Sequence, residues 1–142
     1  MIPSLANPDF CRLARSLIAE GLSVRFKASG NSMRPWIQAG DLITLAPAEA
    51  TRLKRGQVIA FETTAGMLTI HRLVALRAEA AGLVLVTRGD ANMANDPAFG
   101  PDRVVGRVIE VRLAGYRVPV NSPVCWGLSA LRRVVRLGVA RK

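Results

Sequence analysis

Residues 67–77 read MLTIHRLVALR, an apolar stretch without Gly or Pro that predicts a β-strand. Similar apolar segments, separated by Gly, Pro and Asn breaks, predict five more strands, at Ser23–Ala28, Asp41–Ala46, Gln57–Phe61, Leu83–Thr87 and Val104–Leu113. These strands follow one another through short turns with no alternating helices. The sequence therefore predicts a mainly β fold, a folded-over antiparallel sheet rather than a parallel α/β sheet.

A helix is predicted on the N-terminal side of the strands, within residues 1–22. Asn7, Pro8 and Asp9 supply an N-cap, a proline at the first helical position and an early acid, and Gly21 ends the pattern. Apolar residues recur at helical spacing and form the face that is expected to pack on the sheet: Phe10, Leu13, Ala14, Leu17 and Ile18.

A second helix, basic and amphipathic, is predicted at 121–142, so the chain is expected to be a single domain with its β core at 23–120. One side of this helix is apolar (Val124, Leu128, Leu131, Val135, Val139), and another carries Arg132, Arg133 and Arg136. Such a helix is typical of an anionic membrane interface. The alternative is a helix docked on its own domain or on a partner.

The chain of 142 residues carries 20 Lys and Arg against 10 Asp and Glu, a formal net charge of +10. This balance suggests an acidic partner, whether nucleic acid, an anionic membrane surface or an acidic peptide, unless it is only a solvated basic face. Nucleic acid is not favoured, because no aromatic–basic interleaving, zinc-ligand spacing or helix-turn-helix pattern accompanies the charge.

Cys11 and Cys125 lie far apart and form no CxxC pair, and His71 is the only histidine. No metal and no other cofactor is expected, because a zinc site needs several such ligands. Two reduced, packed cysteines fit a reducing compartment. No segment has the length of a membrane span and the N-terminus lacks a secretory pattern, so we expect a cytoplasmic protein, free or peripheral on the cytoplasmic face of the membrane.

The residues that suit chemistry are a serine, a histidine and two aspartates. Ser32 lies in a turn after a predicted strand, His71 lies on a strand with Thr69 and Leu73 on the same face, and Asp90 and Asp96 share one loop. A serine hydroxyl needs a base to remove its proton, and an acid orients that base. Each residue taken alone is more often structural: a turn serine, a half-buried histidine and two Asx turns.

In combination these residues form a series that resembles the conserved boxes of signal peptidase I and its relatives, which include the self-cleaving SOS-type repressors. The series extends over most of the chain, roughly Val24 to Val108. Its members, in order, are Gly30-Asn31-Ser32-Met33-Arg34-Pro35, Gly40-Asp41, Leu53-Lys54-Arg55-Gly56-Gln57-Val58, His71-Arg72 and Gly89-Asp90-Ala91-Asn92.

Histidine followed by arginine resembles the branch that holds the archaeal and endoplasmic-reticulum signal peptidases, which use a Ser–His pair. The resemblance implies Ser32 as nucleophile and His71 as general base. It also implies an orienting aspartate, which we expect to be Asp96, with Asp90 organising the loop.

Around the nucleophile, the expected oxyanion donors are backbone N–H groups at Gly30, Asn31 and Ser32, and the expected substrate contacts are Met33 and Pro35. The chain departs from the branch in having Asn31 directly before the serine, Gln57 for an acid and Ala91 for an asparagine.

The resemblance predicts a serine endopeptidase that cleaves a leader or signal-like segment through an acyl-enzyme. Its substrate would be an extended peptide or protein, with small side chains before the scissile bond. The alternative is a catalytically silent peptide-binding or membrane-peripheral assembly module on the same fold.

Overall fold

A computed structural model describes residues 8–113 and 116–122, within which one α-helix precedes seven β-strands. The helix is α1 (Pro8–Ala19), and the strands are β1 (Val24–Lys27), β2 (Leu42–Ala46), β3 (Val58–Glu62), β4 (Leu68–Glu79), β5 (Gly82–Arg88), β6 (Val104–Leu113) and β7 (Tyr116–Arg117). The mainly β prediction is confirmed. Each predicted strand matches one of β1–β6, with its ends shifted by no more than two residues.

All the strand pairs are antiparallel and form one sheet in the order β1-β2-β6-β3-β4-β5, with β7 paired to the end of β6. The late strand β6 therefore lies in the centre of the sheet, between β2 and β3. Three segments matter for the site: the β1–β2 loop, the strand β4, and the long connection from β5 back to β6.

The C-terminal helix predicted at 121–142 lies, from residue 123 onward, outside the described residues, and so does Cys125. In the part of the chain that the structure describes, no helix combines the length and the apolar character needed to cross a membrane.

One face of the sheet packs against α1 and forms the larger core. On β1, Val24 and Phe26 are buried whereas Arg25 and Lys27 are exposed, which is the alternation of a half-buried strand. Phe26 meets Phe10 of α1 edge-on, with ring centroids 5.3 Å apart. Apolar side chains from β2, β3, β4 and β6 complete this core.

The helix is turned slightly from the predicted orientation. Phe10 and Ala14 are buried and Leu17 and Ile18 pack on the core, but Leu13 is half exposed and Cys11 is buried instead. Successive helical residues point about 100° apart. A helix whose buried face is centred on Phe10, Cys11 and Ala14 therefore directs Leu13 away from the middle of that face. The Cys11 thiol is free and buried, as expected for a packed, reduced cysteine. Burial is the main cause that raises its pKa.

A second, smaller core covers the opposite face of β3, β4 and β5. Its buried members are Leu53, Ile59, Phe61, Leu73, Leu85 and Phe99. Phe99 comes from the connection between β5 and β6, forms a bridge with Leu85, and stacks on Phe61 with ring centroids 4.6 Å apart. This packing holds the connection against the sheet.

Replacing Phe26 by alanine should lower the free energy of unfolding by about 3–5 kcal/mol, because it removes a fully buried ring from the larger core. Urea denaturation measures the change. The control is Arg25→Ala, on the exposed side of the same strand, which should shift stability by no more than about 0.5 kcal/mol. Equal losses in the two variants would contradict the assigned face.

Candidate active site

Ser32 lies in the loop that joins β1 to β2, and backbone hydrogen bonds close this loop at its base. The Ala28 N–H donates to the Asp41 carbonyl at 2.8 Å, and the Gly40 N–H donates to the Ala28 carbonyl at 2.9 Å. Before Ser32, Gly30 adopts a φ of +78°, a left-handed conformation that glycine reaches without strain. The loop that presents Ser32 is therefore closed at its base.

His71 lies on β4, opposite Ile59 of β3, and only 8% of its side chain is exposed. The Phe61 ring packs against it edge-on, at a centroid distance of 6.0 Å. His71 Nε2 lies 3.0 Å from Ser32 Oγ. This is hydrogen-bond distance, so the imidazole is placed to accept the proton of the serine hydroxyl.

Asp96 lies on the other side of the imidazole. Its Oδ2 is 2.5 Å from His71 Nδ1 and accepts a second hydrogen bond, of 2.7 Å, from the Thr87 hydroxyl. The Asp96 N–H donates to the Thr87 carbonyl at 2.8 Å, which fixes the backbone as well. A carboxylate at Nδ1 favours the tautomer with its proton on that nitrogen, leaving Nε2 as the acceptor for Ser32.

The electrostatics of Asp96 suit this role. Burial alone would raise the pKa of its carboxyl, but the hydrogen bonds from His71 and Thr87, together with the charge of His71, lower the pKa below its ordinary value. Asp96 therefore remains ionised at neutral pH and faces the imidazole as an anion.

Asp90 is engaged elsewhere. Its two carboxylate oxygens accept hydrogen bonds from Arg72 Nε and Nη2, at 2.8 and 2.7 Å, and both side chains are 1% exposed. Arg72 Nη1 also donates to the carbonyls of Gly56 and Val120, at 2.8 and 2.5 Å. The buried pair thus joins β4, the loop before β3, the start of the β5–β6 connection and the segment after β7.

The loop that Asp90 anchors also holds the backbone of Ser32. The Ala91 N–H donates to the Ser32 carbonyl at 2.8 Å, and the Asp90 N–H lies 3.4 Å from the Met33 sulfur. A Cβ added at Gly89 would lie 2.6 Å from the Ser32 carbonyl oxygen, so only glycine permits this approach. Arg72 therefore positions Ser32 indirectly, through the loop that holds Asp90 and Ala91, while its neighbour His71 contacts Ser32 directly.

Two cavities flank the Ser32–His71 pair. One, of about 260 Å³, adjoins Ser32 and is mostly apolar, with Met33, Ile37 and Leu68 in its lining. The other, of about 410 Å³, adjoins His71 and Asp96 and is lined by aromatic, threonine and arginine side chains. Thr69 of β4 lines both, so it stands between them.

The structure brings together Ser32, His71 and Asp96 and keeps Asp90 apart from them. Of the two residues predicted to contact the substrate, Met33 is buried in the larger core and lines the cavity beside Ser32, whereas Pro35 is not among the residues that line it. Sequence reasoning missed Thr87, whose hydroxyl supports Asp96. Its one signal in the sequence is that it is a polar residue near the end of the apolar strand β5.

No group of three or more His, Cys, Asp or Glu side chains that could hold a metal ion occurs in the described residues. No protein-family model and no curated protein sequence matches the chain.

Arg72→Met should lower the free energy of unfolding by about 3–5 kcal/mol, because it leaves the Asp90 carboxylate buried without its partner. The double variant Arg72→Met/Asp90→Leu should lose less than the single one, since it removes both buried charges. Urea denaturation compares them with Arg77→Met, on the exposed end of the same strand. A double variant less stable than Arg72→Met would show that the penalty does not come from an unpaired charge.

The lowered pKa of Asp96 makes stability depend on pH. Because the folded-state pKa lies below the unfolded-state value, the stabilisation is present above the unfolded-state pKa of about 4 and is lost as pH falls through the folded-state value. The difference in unfolding free energy between wild type and Asp96→Asn should therefore be larger at pH 6 than at pH 3. A difference that stays constant over this range would contradict the assignment.

Proposed function

We propose that the chain is a serine endopeptidase of the signal-peptidase type, which cleaves a leader or signal-like segment of an extended peptide or protein. One observation carries this proposal: the row of hydrogen bonds from Ser32 Oγ through His71 to Asp96, with distances of 3.0 and 2.5 Å. Nucleophile, base and orienting acid are all present, and in the order that acyl transfer requires.

In this mechanism Ser32 Oγ attacks the carbonyl carbon of the scissile peptide bond while His71 Nε2 takes the hydroxyl proton. Asp96 holds the resulting imidazolium in place and stabilises its charge. The imidazolium then gives the proton to the leaving amine, the C–N bond breaks, and the acyl group remains on Ser32. Water, deprotonated by His71, attacks the ester and releases the acid product and the free serine.

The developing oxyanion needs donors that are already oriented. Within the described residues, the N–H groups of Gly30, Asn31 and Ser32 donate to no backbone carbonyl. They lie in the loop that presents Ser32 and are the candidates for this role.

The substrate would bind as an added strand. β4 pairs with β3 from Leu68 onward, but its pairing with β5 starts only at Arg72, so residues 68–71 have one edge without a strand among the described residues. This edge adjoins the cavity beside Ser32. An extended peptide can hydrogen-bond to such an edge and place a side chain in the cavity. The cavity is small and mostly apolar, in keeping with the small side chains that the resemblance implies.

We place this activity in the cytoplasm, free or on the cytoplasmic face of a membrane. The free, buried thiol of Cys11 suits a reducing compartment. An anionic lipid surface, which the net charge of +10 would favour, remains a prediction for the C-terminal residues.

A fluorophosphonate probe tests the proposal, because its phosphorus bonds covalently and preferentially to an activated serine hydroxyl. Mass spectrometry should find the probe on Ser32 in the wild type and no labelling in Ser32→Ala. His71→Ala should slow labelling by about 100-fold or more, since it removes the general base. Ser16→Ala, which changes an exposed serine of α1, should label at the wild-type rate.

Circular dichroism on each variant separates a lost nucleophile from a lost fold. A wild-type sample that is folded and remains unlabelled would overturn the peptidase proposal. It would favour the peptide-binding or assembly module that the same fold also allows.

A further inference from the structure

We propose that the cavity beside His71 binds the segment of the substrate that leaves after the first step, and that Arg103 selects an acidic side chain in that segment. The inference rests on the proposed peptidase function and adds a second determinant of substrate choice to it. The cavity has a volume of about 410 Å³ and is lined by His71, Asp96 and Arg103 among others.

The two cavities differ in which of the two reacting side chains they adjoin. The cavity beside Ser32 includes Ser32 but not His71 in its lining, and the cavity beside His71 includes His71 but not Ser32. The acyl group stays bonded to Ser32 Oγ, so its side chains belong with the first cavity. The leaving amine must receive its proton from His71, so it begins within hydrogen-bond reach of the imidazole. The second cavity is therefore on the leaving side.

The charge in this cavity favours an acid. Arg103 ends the 3-10 turn Pro101–Arg103, is half-buried, and takes part in none of the ion pairs among the described residues. The anion of the cavity, Asp96, accepts hydrogen bonds from His71 and Thr87. The guanidinium is thus available to an incoming carboxylate, which it can bind through two parallel hydrogen bonds.

The rest of the lining suits the same ligand. Thr63, Thr64 and Thr69 contribute hydroxyl groups, which can donate to a carboxylate, and Phe61 and Phe99 offer apolar walls for the methylenes of a glutamate side chain. A basic side chain would meet Arg103 with like charge. We therefore expect Glu or Asp at the first or second position after the scissile bond.

Transfer of an acyl group from Ser32 to an added amine measures binding on the leaving side of the site, and it does not require the natural substrate. An activated ester, N-acetylalanine p-nitrophenyl ester, acylates Ser32 and releases p-nitrophenol. The amine of an added dipeptide amide then attacks the acyl carbonyl while His71 takes its proton and returns it to Ser32 Oγ, so that an amide forms and the serine is freed. Water competes for the same acyl-enzyme, and mass spectrometry gives the ratio of amide to acid.

Acceptors with glutamate at the first or second position should give about fivefold more amide than the matching glutamine acceptors, as expected for a partly exposed charge pair. Arg103→Gln should abolish this difference, and Arg103→Glu should shift the preference to lysine acceptors. Arg25→Gln, an equal change of charge on the exposed side of β1, should leave the preference intact.

The outcomes separate the two proposals. If the ester forms no acyl-enzyme on Ser32, the peptidase proposal fails and this inference fails with it. If the acyl-enzyme forms but glutamate acceptors have no advantage, or their advantage survives Arg103→Gln, the peptidase stands and the acidic specificity is overturned.

Discussion

The buried pair of Arg72 and Asp90 is the interaction on which the site depends. Its two charges are 1% exposed, and such a pair is tolerated only when every polar atom has a partner. Here the carboxylate receives two hydrogen bonds from the guanidinium, and the remaining donor of Arg72 binds the carbonyls of Gly56 and Val120. Separating the two side chains would leave a buried charge without a partner, which is costly. The segments that carry Arg72 and Asp90 are therefore held firmly in place.

The pair acts on the site because Arg72 follows His71 on β4. Side chains of successive strand residues point to opposite faces, so His71 reaches Ser32 on one side while Arg72 secures Asp90 on the other. The Asp90 loop returns to Ser32 through the hydrogen bond from the Ala91 N–H to the Ser32 carbonyl. Two adjacent residues of β4 thereby act on Ser32: His71 contacts its hydroxyl, and Arg72 holds the loop that binds its backbone carbonyl.

Much of the fold could be predicted from the sequence, since the strands are apolar segments bounded by residues that interrupt regular structure. The features that the sequence does not predict are those that depend on how separate segments pack together. The burial of Cys11 instead of Leu13 reflects a small rotation of α1, to which helical spacing is insensitive. Asp90 and Asp96 share one loop, and only the path of that loop brings Asp96 to His71. Thr87 resembles any polar residue in a strand until Asp96 is placed beside it.

The connection from β5 to β6 contributes Asp96 and Arg103 to the candidate site although it has little regular structure. A loop holds a side chain in one position only if several contacts restrain it. This one is restrained by Arg72 at Asp90, by Thr87 at Asp96, and by the stacking of Phe99 on Phe61. These restraints come in sequence order along the loop, one every few residues. Between them the chain is short, so Asp96 has little freedom to leave the imidazole, and Arg103 follows directly where the loop rejoins the sheet.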